Sequence, residues 1–144
     1  SYSILGGRGL EDVVLAGMVS NDDLPRYYAS AHIFCSPATG AESFGYVLLE
    51  AMASGKPIVA SDIEGYAGLV SHEVEALLFP PKDSEALGNA LKLLIQDPEL
   101  ARRMGAQGRE SVEKYRWVAV ARQVEDYYLD CQKAVNGRTR ARTG

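Results

Sequence analysis

With 144 residues the chain has the length of one ordinary domain, and its 47% hydrophobic and 24% charged residues give it the make-up of a soluble globular protein with a core. A formal net charge of −4 argues against nucleic-acid binding, and no apolar run approaches the ~20 residues needed to cross a membrane. The two cysteines, Cys35 and Cys131, hold no metal-ligand spacing, which disfavours a disulfide framework and a zinc site and points to a reducing compartment; no signal-peptide core is visible in the first residues.

Residues 1–5 are expected as a short strand, followed by Gly6-Gly7-Arg8-Gly9, and the β-branched run Val13-Val14-Leu15-Ala16 as a second strand. The gap between them is too short for a crossover helix. Residues 20–30 predict a short helix, with Ser20 and Asp23 spaced as a capping box and Pro25 tolerated only near the first turn. A strand over 33–36 leads into the polar, glycine-containing loop 39–45, which passes into an apolar helix over 46–53 that stops at Gly55. A further strand covers 57–60, a short helix or loop with Gly65 and Gly68 covers 63–70, and another strand covers 76–79 before Pro80-Pro81. Asp83 is expected to cap a helix with the stripe Leu87, Ala90, Leu91 and Leu94. Asp97-Pro98 restarts a helix with proline at the favoured first position and with Leu100, Met104, Ser111 and Tyr115 on one side. Trp117, Val120, Ala121, Val124, Tyr128, Cys131 and Val135 then mark a final long helix. Residues 136–144, with Arg138, Arg140 and Arg142, are expected to be a disordered basic tail.

The strands are continuous and apolar rather than alternating, and helical stretches separate them. That is the pattern of a parallel sheet covered on both faces, a doubly wound α/β fold. Ligands in such sheets bind beyond the carboxyl ends of the strands. The loops after Ala16, Ser36, Ala60 and Phe79 lie at such ends.

The loop at 39–45 carries one carboxylate, Glu42, and the helix after it carries a second, Glu50. With Ser43 taken as N-cap, Glu50 is seven residues on, facing the same way and roughly 10 Å further along the axis. The amides of Phe44, Gly45 and Tyr46 fall between the acids, at a helix N-terminus suited to an anion. A nucleoside diphosphate sugar has the matching layout of sugar, diphosphate and ribose. Retaining and inverting glycosidases need carboxyl pairs about 5–5.5 Å and about 6.5–9.5 Å apart, so a pair this far along a helix does not suit a hydrolase. Purely structural roles remain open. Glu50 could be bonded to an amide or a basic side chain within its apolar helix, Glu42 could be a solvated loop acid, and Gly45 could serve only a tight turn. Neither His32 nor His72 stands with a nucleophile.

The run Glu42-Ser43-Phe44-Gly45-Tyr46-Val47-Leu48-Leu49-Glu50, continued by Ala51-Met52-Ala53-Ser54-Gly55-Lys56-Pro57, resembles the E-x7-E region of retaining glycosyltransferase family 4, the group 1 enzymes of GT-B architecture. Its flanks agree: Leu15-Ala16-Gly17-Met18-Val19 is similar to the strand and turn beside the nucleotide base, and Tyr115-Arg116-Trp117 to the aromatic motif opening the last helix. The segment from Pro37 to Gly45 is most similar to the phosphatidylinositol mannosyltransferase branch, which uses GDP-mannose. The resemblance implies a Rossmann-like domain over 11–135, the donor-nucleotide half of a GT-B enzyme, behind a truncated or irregular segment at 1–10. It implies Glu42 as the catalytic-site acid on the donor sugar's hydroxyls, Ser43, Phe44, Gly45 and Tyr46 along sugar and diphosphate, Glu50 on the ribose, Val47 beside it, and Gly17, Met18 and Val19 around the base. No metal and no cofactor beyond the nucleotide sugar is implied. The implied reaction moves a hexose to a lipid or glycan acceptor with retention of configuration, at the cytoplasmic face of a membrane with peripheral association of the parent enzyme.

The sequence also departs from the family pattern. Against that pattern, the N-terminal acceptor domain and the segment that carries the Arg and Lys of the diphosphate clamp are expected to fall outside these 144 residues, which leaves Arg8 as a candidate for phosphate contact. Gly68 stands where many relatives have Glu, and Ala76 where many have Gly. The chain alone is therefore expected to be inactive, with apolar surface open to self-association. The alternatives are a stand-alone, non-catalytic binding or interaction module of the same fold, and an unrelated doubly wound domain such as a flavodoxin-like regulator.

Overall fold

The computed structural model describes residues 12–40 and 42–142, with residues 135–142 described by backbone alone. Five α-helices and three strands follow in the order α1 (Leu24–Ser30), β1 (Phe34–Ser36), α2 (Tyr46–Ala53), β2 (Ile58–Ser61), β3 (Ala76–Phe79), α3 (Ser84–Gln96), α4 (Pro98–Ser111) and α5 (Trp117–Arg142). Single 3-10 turns occupy Glu64–Tyr66 and Val112–Tyr115. The strands form one parallel sheet in the order β1-β2-β3, with Phe34 opposite Ile58 and Ile58 opposite Ala76. This is the Rossmann-like α/β arrangement expected from the apolar strands.

The period of two along each strand sorts the core. Ile58, Ala60 and Ala76 face one layer with Tyr28, Leu48, Ala51, Met52 and Tyr66. Val59, Leu77 and Phe79 face the other with Leu94 and Met104. The central strand β2 is buried at every residue, which is why it reads as an uninterrupted apolar run. Asp83 and Asp97 cap α3 and α4 as expected, accepting from the amides of Ala86 and Leu100 at 2.9 Å each. Helix α2 ends in a Schellman motif: Gly55 adopts φ 66°, its N–H bonds the Met52 carbonyl at 2.9 Å, and the Lys56 N–H bonds that of Ala51 at 3.0 Å. Helix α4 crosses this corner closely, because a side chain at Gly105 would collide with the Gly55 carbonyl.

Several boundaries differ from the sequence expectation. The strand expected at Val13–Ala16 is absent: these residues are unpaired coil, with Val14 87% exposed. A β-branched run becomes a strand only with a neighbour to pair and pack with, and none of the described strands takes it. The strand expected at residues 1–5 and the candidate Arg8 lie outside the described residues. At the other end, α5 runs past Asn136 to Arg142. Extending an existing helix costs far less than nucleating one, and arginine favours it. The apolar stripe of α5 is present but uncovered, with Trp117 82% exposed and Val124, Tyr128 and Cys131 also open.

Candidate functional site

The loop after β1 turns on Gly45. Gly45 is buried, sits at φ 73° and is the N-cap of α2. A β-carbon there would be strained by the left-handed backbone and would come within 2.8 Å of the Tyr66 ring. Ser43 had been expected as the cap; the helix starts at Tyr46 instead, because only glycine fits over Tyr66 in this conformation. Tyr66 is buried, and its hydroxyl shares a 2.7 Å hydrogen bond with Ser36 Oγ at the end of β1. The turn after β2 thus supports the loop after β1. It does so at a second point as well, since Gly65 packs so tightly under Glu42 that a β-carbon would overlap the Glu42 carbonyl oxygen.

Glu42 is half-buried, and its Oε1 accepts from the Gly45 amide at 3.2 Å. One of the amides expected to face an anion is therefore held by the loop's own carboxylate, which favours the start of α2 through its dipole. Ser43, Phe44 and Tyr46 are exposed, and Val47 is half-buried. The Phe44 ring lies 5.1 Å from Tyr46 and meets Tyr115 edge-on at 6.5 Å. Tyr115 in turn donates to the Gly68 carbonyl at 2.9 Å.

Glu50 lies on the exposed side of α2, and the structure gives it a partner that sequence spacing did not show: the hydroxyl of Tyr28 donates to Glu50 Oε2 at 2.7 Å. Tyr28 is 8% exposed and belongs to the core. Burial, then the hydrogen bond to Glu50 and its negative charge, push the Tyr28 phenol well above its ordinary range, so it remains a donor. Glu50 borders two open cavities. One, of about 440 Å³, lies between it and Asn21, Leu24, Pro25 and Tyr28. The other, of about 680 Å³, carries Tyr46, Arg109, Arg116 and Trp117. Gly17, Met18 and Val19 are in the coil before α1, with Gly17 at φ 69° and Met18 fully exposed, and Asn21 brings the end of that segment to the Glu50 cavity. His72 is exposed, and its Nδ1 accepts from the Leu78 amide at 3.0 Å, which braces the turn before β3.

The residues missed from sequence were Tyr28, Tyr66 and Gly65. Tyr28 stands 22 residues from Glu50, so no local periodicity links them. The glycines of the segment after β2 were visible, but their purpose depends on which loop packs over them. Among the described residues, no group of three or more His, Cys, Asp or Glu side chains could hold a metal ion.

Comparison with solved structures places the architecture. A sucrose-phosphate synthase from Thermosynechococcus elongatus superposes with a TM-score of 0.82 at 36% identity, over 92% of this chain and 34% of that one. Anabaena HepE in complex with UDP-glucose superposes with a TM-score of 0.79 at 27% identity, over 90% of this chain and 35% of that one. The fold is that of the C-terminal domain of a GT-B glycosyltransferase. The family model for glycosyl transferases group 1 matches residues 6–111, and the chain belongs to that family. A phosphatidyl-myo-inositol mannosyltransferase of Mycobacterium leprae is 38% identical over 119 residues, 83% of this chain and 32% of the relative. The chain thus spans about a third of the length of the relatives it matches.

Proposed function

We propose that this chain is the donor-nucleotide domain of a retaining glycosyltransferase that moves a hexose from a nucleoside diphosphate sugar to a lipid or glycan acceptor. The observation that carries this is the pairing of a glycine-hinged loop bearing Glu42 with Glu50 on the helix it starts, within a group 1 fold. Glu42 turns from the Gly45 amide to the hydroxyls of the donor sugar, which frees that amide for the diphosphate. Ser43, Phe44 and Tyr46 line the sugar and diphosphate. Glu50 accepts from the ribose with Val47 packed beside it, and Gly17, Met18 and Val19 flank the base. The glycosidic bond to the diphosphate breaks, the acceptor hydroxyl attacks from the same face, and a diphosphate oxygen takes its proton.

The mannosyltransferase relatives support mannose as the sugar and a phosphatidylinositol lipid as the acceptor, and GDP-mannose as the donor rests on the resemblance of the segment from Pro37 to Gly45. The neighbour crystallised with UDP-glucose supports a nucleotide sugar as ligand more broadly. A lipid acceptor implies peripheral contact of the parent enzyme with a membrane, at its cytoplasmic face; among the described residues no helix is long and apolar enough to cross one. The acceptor is read by the N-terminal domain that the longer relatives have room for. The uncovered face of α5 supports contact with such a domain, or with a second copy when this chain stands alone.

Titration calorimetry of this chain with GDP, UDP and ADP, and with their sugars, tests the binding role. Saturable binding of one base without hydrolysis is the expected result. Absence of binding at millimolar nucleotide would leave a non-catalytic interaction module as the better description.

A further inference from the structure

We infer that Tyr28 is a positioning residue for Glu50, fixing its carboxylate so that the site distinguishes ribonucleotides from deoxyribonucleotides. This rests on the ribose role proposed for Glu50 and extends it to a residue outside the loop–helix unit.

Glu50 lies on the exposed side of a helix, where a glutamate samples several rotamers. Tyr28 removes that freedom. Its ring is held in the core against Phe34, the first residue of β1, with centroids 5.4 Å apart. Its hydroxyl sits 2.7 Å from Glu50 Oε2 and 3.5 Å from the Val47 carbonyl. A rigid aromatic seated on the sheet thus grips one oxygen of a carboxylate whose other oxygen, Oε1, has no protein partner among the described residues. The buried phenol needs an acceptor in any case, and the acid meets that need at the edge of a cavity rather than inside the core. The free oxygen is left at a set position to accept from a ligand hydroxyl. The phenol stays protonated through the physiological range, so the grip does not lapse with pH.

The test compares wild type, Tyr28→Phe and Glu50→Gln of this chain by calorimetry. The ligands are GDP, UDP and ADP, then the 2′-deoxy and 3′-deoxy forms of the nucleotide that binds best. Wild type is expected to prefer the ribonucleotide by about tenfold or more, the worth of one hydrogen bond to a charged group. Tyr28→Phe should cut that preference at least threefold while leaving affinity for the deoxynucleotide unchanged, a split that general loosening of the fold does not produce. Glu50→Gln should abolish most of it. Equal weakening of both ligand types by Tyr28→Phe, or full discrimination retained, would overturn the positioning role and leave the ribose reading standing. Discrimination retained in Glu50→Gln would overturn the ribose reading itself, as would the absence of any nucleotide binding by wild type. If Tyr28→Phe loses its helical circular-dichroism signal, Tyr28→Met carries the same expectation, since methionine fills the space without a hydroxyl.

Discussion

The carbonyl oxygen of Glu42 occupies the space that a β-carbon on Gly65 would need. Gly65 follows β2 and Glu42 follows β1, so this contact fixes the height of one loop against another at the carboxyl end of the sheet. Gly65→Ala must push the Glu42 loop outward or distort the 3-10 turn. The expected cost is ~1–3 kcal/mol in stability, as for other overpacking changes, measured by urea unfolding. Nucleotide affinity should fall with it. A Gly65→Ala variant with unchanged stability and binding would show that the contact is slack.

Gly45→Ala faces two obstacles at once, the backbone at φ 73° and the Tyr66 ring. We expect a loss of ~1–3 kcal/mol from strain and crowding. Tyr66→Phe keeps the ring and removes only the bond to Ser36, so it should cost about 1 kcal/mol. The ordering of these two losses in thermal melts checks that the ring's position, rather than its hydroxyl, is the main support of the loop.

These contacts mark how far the sequence could be read. The helix caps at Asp83 and Asp97 and the buried β2 were legible because their signals are local: a side chain three residues from the amide it accepts, or an unbroken apolar run. The loop–helix unit was legible for the same reason. The true start of α2 was not, because the choice of Gly45 over Ser43 is made by Tyr66, which arrives from beyond β2. Val13–Ala16 misled because strand propensity describes a half-buried pleated surface and cannot show whether a partner is present. The partner of Glu50 was invisible because Tyr28 reads simply as an apolar position on a short helix.

Glu73 is a non-glycine residue at φ 64° in the turn before β3. Its side chain is exposed, and its carboxylate lies 3.8 Å from His72 Nε2, a contact worth little in solvent. Glu73→Gly should therefore relieve left-handed strain of ~1–2 kcal/mol against an unfolded-state entropy cost of ~0.4–1 kcal/mol. The expected outcome is a small gain in stability, visible as a higher melting temperature with nucleotide affinity unchanged.

Glu75 is a buried carboxylate held by neutral donors, the Ser71 amide at 2.9 Å and the Ser111 hydroxyl at 2.7 Å. It ties the turn before β3 to the end of α4. Glu75→Ala leaves both donors without their partner and should cost ~1–3 kcal/mol by chemical denaturation. Ser111→Ala removes one donor only and should cost less, and a double variant less than additive with both would confirm the coupling.

Tyr28 makes the protein sensitive to alkali in a defined direction. Its folded-state pKa lies above the ordinary tyrosine value of 10.0, because burial, the bond to Glu50 and the charge of Glu50 all oppose the phenolate. At a pH above 10.0 the unfolded chain gives up this proton while the folded chain keeps it, so the unfolded state binds fewer protons and stability falls as pH rises. The contribution is fully present below the unfolded value and is lost progressively on the way to the folded one. Tyr28→Phe removes that dependence. Urea unfolding at pH 8, 10 and 11 should show wild type losing more stability than Tyr28→Phe over the same interval, with the difference confined to the alkaline side of about pH 10. Parallel curves for the two proteins would mean that the phenol is less committed to Glu50 in solution than the 2.7 Å contact implies.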